Sequence, residues 1–336
     1  MNGWAAAGDE PTIASMGEEQ AIHAFTARLP ESEERVLGPG DDAAVVAAPD
    51  GRVVVTSDSL VEGPDFRTYW STPYDLGWKL AAVNLADVAA MGARPAALVV
   101  ALALPRSTPI AALERIADGL ADACDRLAPG CGVEGGDLAE SPTITAVATA
   151  FGSLDRRAPV VRTGAQAGDI VALSLGAGQS LGDAARGLMT LAAWPAEELP
   201  DEGFPSGTFI DAQLRPVPPI EDGVAAAFAG ATSMIDISDG LARDASRVAR
   251  ASRVTIDFDS TSLLAIGGAA GGAPVGGIGE LLAAAEDHGL LATFPIDAEL
   301  PGGFRLIGSV RDLGISPLLV DGEPLAAVGG WDPFRA

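Results

Sequence analysis

The apolar positions of this chain keep changing rhythm. From Glu18 to Leu29, Ile22, Phe25 and Leu29 recur at helical spacing. Short apolar runs follow at Ala43–Ala48 and Arg52–Thr56, separated by Pro49-Asp50-Gly51, and this pattern predicts two strands joined by a turn. Thr72 to Met91 is the clearest helix. Thr72 suits the cap, Pro73 the first turn and Asp75 the positive end, while Gly92 and Pro95 stop it. Its face Leu76, Leu80, Val83, Asp87, Ala90 is apolar except for Asp87, and an acid on a buried stripe is costly unless paired or metal-bound.

Ala97–Leu104 predicts a strand, Ile110–Leu127 a helix and Thr143–Gly152 another strand, with Val133 leading into Glu134-Gly135-Gly136-Asp137. Around Leu154 to Arg162 the character changes, and Arg156-Arg157-Ala158-Pro159 has the look of a connection between domains. Beyond it the pattern predicts a strand at Asp169–Leu175 and a helix at Leu181–Ala193. Gln213 to Pro219 reads as an extended segment, followed by a helix at Val224–Phe228. A short strand then delivers Asp236-Ile237-Ser238-Asp239-Gly240 to a helix at Leu241–Ala251, and Val254–Phe258 is a strand. Gly267 to Gly279 reads as a glycine-rich loop, Glu280–His288 as helix, and Leu290–Phe294, Phe304–Val310 and Pro317–Val320 as closing strands. The expected fold class is α+β or mixed α/β, with two domains over residues 1–155 and 156–336.

Composition narrows the chemistry. A formal charge of −25 over 336 residues argues against binding nucleic acid or anionic membranes, although most of it serves solubility. No apolar run is long enough to cross a bilayer, and the first eleven residues lack the marks of a signal peptide, so a cytoplasmic location is expected. With two histidines and two cysteines, neither a Ser-His-Asp triad nor a zinc site is expected. Lys79 is the single lysine, and no Walker A or protein-kinase signature is present. Oxygen ligands are plentiful, and they suit Mg²⁺ or Ca²⁺.

Carboxylates recur beside glycine or hydroxyl residues: Asp41, Asp42, Asp58, Asp87, Asp137, Asp236 and Asp239. If strand ends bring them together, their charge needs neutralising, and several Mg²⁺ ions with a nucleotide's phosphates would do it. Such a site without histidine points to phosphoryl chemistry. Gly135 and Gly136 would let backbone approach a phosphate.

Five stretches in order carry a resemblance: Gly38-Pro39-Gly40-Asp41-Asp42-Ala43-Ala44, Thr56-Ser57-Asp58-Ser59-Leu60-Val61-Glu62-Gly63, Asn84-Leu85-Ala86-Asp87-Val88-Ala89-Ala90-Met91-Gly92, Gly135-Gly136-Asp137, and Ile235-Asp236-Ile237-Ser238-Asp239-Gly240-Leu241. The chain resembles the thiamine-monophosphate kinases of the aminoimidazole-ribonucleotide-synthetase-like group, from about Glu18 to Phe334. The resemblance implies direct, Mg²⁺-assisted transfer of the γ-phosphoryl of ATP to thiamine monophosphate, giving thiamine diphosphate, by a homodimer joined through its N-terminal domain. It implies Mg²⁺ ligands at Asp42, Thr56, Ser57, Asp58, Asp87, Asp137, Asp236 and Asp239, with Asp58, Asp87 and Asp137 central to catalysis. It implies ATP contacts at Gly135, Gly136, Arg162 and Ser238, and acceptor contacts at Asp65, Glu286 and Trp331.

Three departures from the family pattern fall on the acceptor side. Asp65 stands where the family usually has histidine. The family's GGEDYE is Ala284-Ala285-Glu286-Asp287-His288-Gly289 here, and its terminal aromatic-Asp-His-Phe is Trp331-Asp332-Pro333-Phe334. Two other readings therefore stand beside the kinase: an ATP-dependent enzyme with a different small acceptor, and a nucleotide- and Mg²⁺-binding homologue without transfer activity. Plainer roles exist for single residues too: a solvated loop acid for Asp65, a packed anchor for Trp331, an interdomain ion pair for Arg162 and a structural salt bridge for Lys79.

Overall fold

The computed structural model describes residues 4, 10–38, 43–194, 209–267, 277–325 and 328–331. The chain divides into two compact units. The first holds Met1–Val88, Pro95–Asp155 and Leu191–Ser206; the second holds Ala89–Arg94, Arg156–Thr190 and Gly207–Ala336.

In the first part of the chain the elements are α1 (Ile13–Met16), α2 (Glu18–Thr26), β1 (Arg35–Leu37), β2 (Val45–Val46), β3 (Val54–Val61), α3 (Pro73–Ala90), β4 (Arg94–Leu104), α4 (Ile110–Leu127), β5 (Gly132–Glu140) and β6 (Thr145–Ser153). The capping logic of α3 is realised: Asp75 Oδ2 accepts from the Thr72 amide and hydroxyl, both at 2.8 Å, and the Asp75 amide donates back to Thr72 Oγ1. Helix α4 buries one stripe, with Leu113, Ile116, Leu120 and Cys124 fully enclosed.

A four-stranded sheet runs in the order β3-β6-β4-β5. Strands β3 and β6 are antiparallel from Val54↔Gly152 to Val61↔Thr145, and β4 and β5 are parallel from Ala97↔Gly132 to Leu104↔Glu140. The expected hairpin between Ala43–Ala48 and Arg52–Thr56 does not form. Strand β2 pairs with β1, and β3 pairs along its whole length with β6. Asp50 closes the intervening turn on Arg52, so the turn exists while its flanking strands go to different partners. Eight paired residues on β6 outweigh the few rungs that the short β2 offers.

The rest of the chain gives β7 (Ile170–Ser174), α5 (Asp183–Ala193), α6 (Phe209–Leu214), α7 (Ile220–Phe228), β8 (Ser233–Ile237), α8 (Leu241–Ser252), β9 (Val254–Phe258), α9 (Ser260–Gly267), α10 (Ile278–Ala283), β10 (Gly289–Phe294), β11 (Phe304–Asp312), β12 (Leu318–Val320) and β13 (Glu323–Pro324). A seven-stranded sheet runs in the order β13-β12-β9-β11-β7-β10-β8 and is antiparallel except for β12 beside β9. Every residue of β8, β9 and β10 is buried, the polar Ser233, Asp236, Thr255, Asp257 and Thr293 included. Helix α8 lays Leu241, Ala245 and Val248 into a core with Ile235, Ile237, Phe258 and Leu291.

Two further segments differ from the expected elements. Gln213 belongs to helix α6, because the extended reading followed the prolines downstream. Helix α10 stops at Ala283 and the chain to His288 is irregular, with Glu286 at φ 73 and His288 at φ 49. Asp287 explains the break: its carboxylate turns away to accept the amides of Gly182 and Ala184. Among the described residues, no helix is long and apolar enough to cross a membrane.

Candidate functional site

In the first unit, β3 carries Thr56, Ser57 and Asp58 on one edge of the sheet. Thr56 Oγ1 donates to Asp87 Oδ2 at 2.7 Å, so the acid on the apolar face of α3 meets a strand hydroxyl. The Asp58 amide donates to Asn84 Oδ1 at 3.0 Å, while Asn84 Nδ2 donates to the Leu80 carbonyl at 2.9 Å. Asn84 is fully buried and ties the Asp58 backbone to α3. The Ser57 hydroxyl is engaged by the Ala148 carbonyl and by Thr149 Oγ1, both on β6.

Gly135, Gly136 and Asp137 lie within β5, on the opposite edge of that sheet, rather than in a turn. The two glycines do different work. A Cβ on Gly136 would collide with the Val100 carbonyl of β4, whereas a Cβ on Gly135 would meet nothing within 4 Å. Gly136 is required by strand packing, and Gly135 leaves open space beside the exposed Asp137. These residues also line an apolar cavity of about 890 Å³ with Ile22, Phe25, Val99 and Phe151. Glu134, just before them, is buried and accepts from the Ser32 amide and Arg35 Nε, both at 2.5 Å, which fastens the start of β1 to β5. Glu134 and Asn84 are not among the site residues expected from the sequence. Their signal was a charged or amide side chain set into an apolar run.

Asp58 and Asp137 therefore stand on opposite edge strands, three interstrand spacings or roughly 14 Å apart measured across the strands. The expected convergence of strand-end acids on one edge does not occur for this pair, because β6 and β4 lie between them. Among the described residues, no three Asp, Glu, His or Cys side chains gather closely enough to hold a metal. Asp41 and Asp42 lie outside the described residues. The donors that do meet, Thr56 and Asp87 with Asp58 two residues along the same strand, are all oxygens and suit a hard divalent cation. Asp65 folds back on its own turn: Oδ2 accepts the Val61 amide at 2.8 Å, and its amide donates to the Val61 carbonyl.

In the second unit, residues far apart in sequence are drawn to one turn. The Ser238 carbonyl accepts the Glu286 amide at 2.8 Å, and the Asp239 carbonyl accepts the Trp331 amide at 2.8 Å. Trp331 remains 41% exposed, leaving ring surface open for stacking. Asp236 is buried on β8. Asp239 Oδ2 is held by Arg247 at 2.5 Å and lies 3.7 Å from Arg243 Nε. Asp244, fully buried, shares Arg247 at 2.5 Å and accepts the Asp239 amide at 3.0 Å. Burial pushes the Asp244 carboxyl up to about 6 against the pull of Arg247. Arg162 is exposed, and its carbonyl accepts the Ser252 hydroxyl.

Asp287 is pushed up to about 7, chiefly by burial, although the Gly182 and Ala184 amides favour its charged form. Asp183 nearby is also raised by burial. The departure at Ala284-Ala285 thus leaves the acid after Glu286 with a defined structural task.

Residues 40–154 match the family model for the AIR synthase related protein, N-terminal domain. The thiamine-monophosphate kinase of Mycobacterium tuberculosis is 39% identical over 336 residues, covering 97% of this chain and 94% of that protein. The chain belongs to the thiamine-monophosphate kinase family. Among solved structures, the thiamine-monophosphate kinase of Stenotrophomonas maltophilia superposes with a TM-score of 0.73 at 29% identity, covering 91% of this chain and 96% of that one. AaThiL complexed with AMPPCP and TMP gives 0.71 at 30% identity, covering 97% and 100%. The family's two-domain mixed α/β fold is the one seen here.

Proposed function

We propose that this chain phosphorylates thiamine monophosphate to thiamine diphosphate, with ATP as phosphoryl donor and Mg²⁺ as the resident cation. The observation that carries this reading is the turn at Ser238-Asp239, which binds Glu286 and Trp331 through its two carbonyls. Those are residues that the family resemblance gives to nucleotide, metal and acceptor. In this reading the Mg²⁺ ligands are those that the family resemblance gives: Asp42, Thr56, Ser57, Asp58, Asp87, Asp137, Asp236 and Asp239. Bound Mg²⁺ would neutralise the phosphate oxygens and so ease transfer. Gly135 leaves room for a phosphate beside the strand, and the apolar cavity suits a nucleobase. The resemblance gives Ser238 and Arg162 to ATP, and Glu286, Trp331 and Asp65 to the acceptor. The acceptor phosphate is already mostly ionised at pH 7 and needs no general base.

The sheet order supports a homodimer within the same reading. Asp58 and Asp137 occupy opposite edges of one sheet, too far apart to share an ion whose ligands sit at about 2.1 Å. A second copy that lays its β5 beside β3 brings one chain's Asp137 to the other's Asp58 and covers both open edges. Nothing in the composition opposes a cytoplasmic setting for this enzyme.

The test is turnover of purified protein with ATP, Mg²⁺ and thiamine monophosphate. Thiamine diphosphate and ADP should form in equal amounts, and no product at any Mg²⁺ concentration would refute the reading. For the shared site, Asp58→Asn and Asp137→Asn proteins should each be inactive, yet regain activity when unfolded together and refolded as a mixture. A mixture as inactive as its components would remove the dimer.

A further inference from the structure

We infer that Gln213 reads the acceptor, accepting a hydrogen bond from the amino group of its pyrimidine ring. The inference rests on the kinase reading above and adds a specificity residue to it.

Gln213 lies on α6 and is 95% buried, from a relative exposure of 5%. Its side-chain Nε2 donates to Glu286 Oε2 at 3.1 Å. Its Oε1 is fully enclosed, and among the described residues no donor reaches it. A buried carbonyl without a donor is destabilising, and native structures seldom keep one without a reason. A purely structural glutamine would have both ends satisfied by protein. This one has its amide end spent on the residue that the family resemblance places at the acceptor, and its carbonyl end unspent.

Glu286 is itself held in an unusual way. Its φ of 73 lies in the left-handed region, and His288 two residues on has φ 49. Such backbone is found where a side chain must be presented at a fixed angle. The backbone is pinned by the Ser238 carbonyl, while Asp287 anchors the next residue to the amides of Gly182 and Ala184. The Glu286 carboxylate and the Gln213 carbonyl, linked through the Gln213 amide nitrogen, make an accepting pair. Its complement is a ligand edge that only donates. Thiamine monophosphate has one such group, the exocyclic amine on its pyrimidine. The phosphate and the thiazolium offer no N–H.

The decisive experiment compares two acceptors on two proteins. The acceptors are thiamine monophosphate and its oxo analogue, in which the pyrimidine amine is replaced by a carbonyl oxygen. The proteins are the wild type and Gln213→Met, which keeps length and loses both polar atoms. For wild type, kcat/KM should favour the amino acceptor. In Gln213→Met the KM for thiamine monophosphate should rise roughly five- to tenfold, with the KM for ATP unchanged and the oxo analogue within about twofold of wild type. The preference between acceptors should shrink by the same factor. Equal losses on both acceptors, or a loss confined to kcat, would overturn the inference and leave Gln213 as a prop for Glu286. If Gln213→Met fails to fold by thermal melting, Gln213→Glu takes its place. It retains an accepting oxygen and should keep the preference for the amine while binding more weakly, and losing that preference would overturn the inference equally. A wild type that phosphorylates neither acceptor would refute the kinase reading and this inference with it. A wild type active on thiamine monophosphate with an unaltered preference in the variant would refute this inference alone.

Discussion

The acids of the two units are arranged for opposite purposes. In the four-stranded sheet, Asp58 and Asp137 sit exposed on the two edge strands. In the second unit, Asp239 and Asp244 share Arg247, Asp183 pairs with Arg186 at 3.3 Å, and Asp287 is enclosed by backbone amides. The first set presents its charge outward, where a cation from solution can neutralise it. The second set is neutralised largely from within and spends its oxygens on holding turns and helix starts in place. The same residue type beside the same kinds of neighbour is therefore left exposed on sheet edges in one unit and tied into turns and helix starts in the other. Asp239 stands between the two cases: it is a proposed metal ligand whose carboxylate already has arginine against it.

The sharpest way to break this comparison is to neutralise one acid from each set. Asp58→Asn or Asp137→Asn should lower kcat at least a thousandfold, because charge neutralisation at the phosphates supplies most of the catalysis. Thermal stability should stay within a degree or two of wild type, since both positions are exposed. Retained activity in either variant would place the metal elsewhere. A large fall in melting temperature would show that these acids serve the fold after all.

A finer contrast lies between adjacent glycines. Gly136→Ala drives a methyl into the Val100 carbonyl and must push β5 off β4, at a cost of about 1–3 kcal/mol in denaturant unfolding. Gly135→Ala places its methyl in open space and should leave stability within about 0.5 kcal/mol while raising the KM for ATP several-fold. If Gly135→Ala binds ATP as wild type does, the open space beside Asp137 is not where the phosphates lie.

Much of this was legible in the chain itself, for reasons that differ by element. Helix α4 announced its limits because its buried stripe and its bounding prolines and glycine agree. Strand β3 was readable as a strand and its acid as a site candidate. Its partner was not readable, because pairing with β6, some ninety residues away, is decided by the whole sheet rather than by the local turn at Asp50. For the same reason the separation of Asp58 from Asp137 was invisible: strand order is a property of topology. Helix α10 looked longer than it is, since nothing in Ala284-Ala285-Glu286 opposes a helix. What ends it is a contact from Asp287 to an amide pair a hundred residues earlier. Gln213 carried no signal at all, as what sets it apart is one buried oxygen that no donor reaches among the described residues.

The smallest effect concerns pH and the acids held from within. Asp287 has a folded value of about 7 against an ordinary 3.8, so between roughly pH 4 and pH 7 the folded chain holds a proton that the unfolded chain has lost. Stability therefore falls as pH rises through that window and levels off above it, the reverse of a salt-bridged surface aspartate. Asp183 and Asp244 are shifted in the same direction and steepen the fall. Asp287→Asn cannot lose a proton, and its single amide oxygen serves the Gly182 and Ala184 amides less well than a carboxylic acid does. The variant should be less stable than wild type by on the order of 1 kcal/mol at pH 5, and the gap should narrow or close by pH 7.5. Urea midpoints at the two pH values decide it. A gap of the same size at both would mean that Asp287 is ionised throughout, with the amide pair strong enough to hold its charge inside the protein.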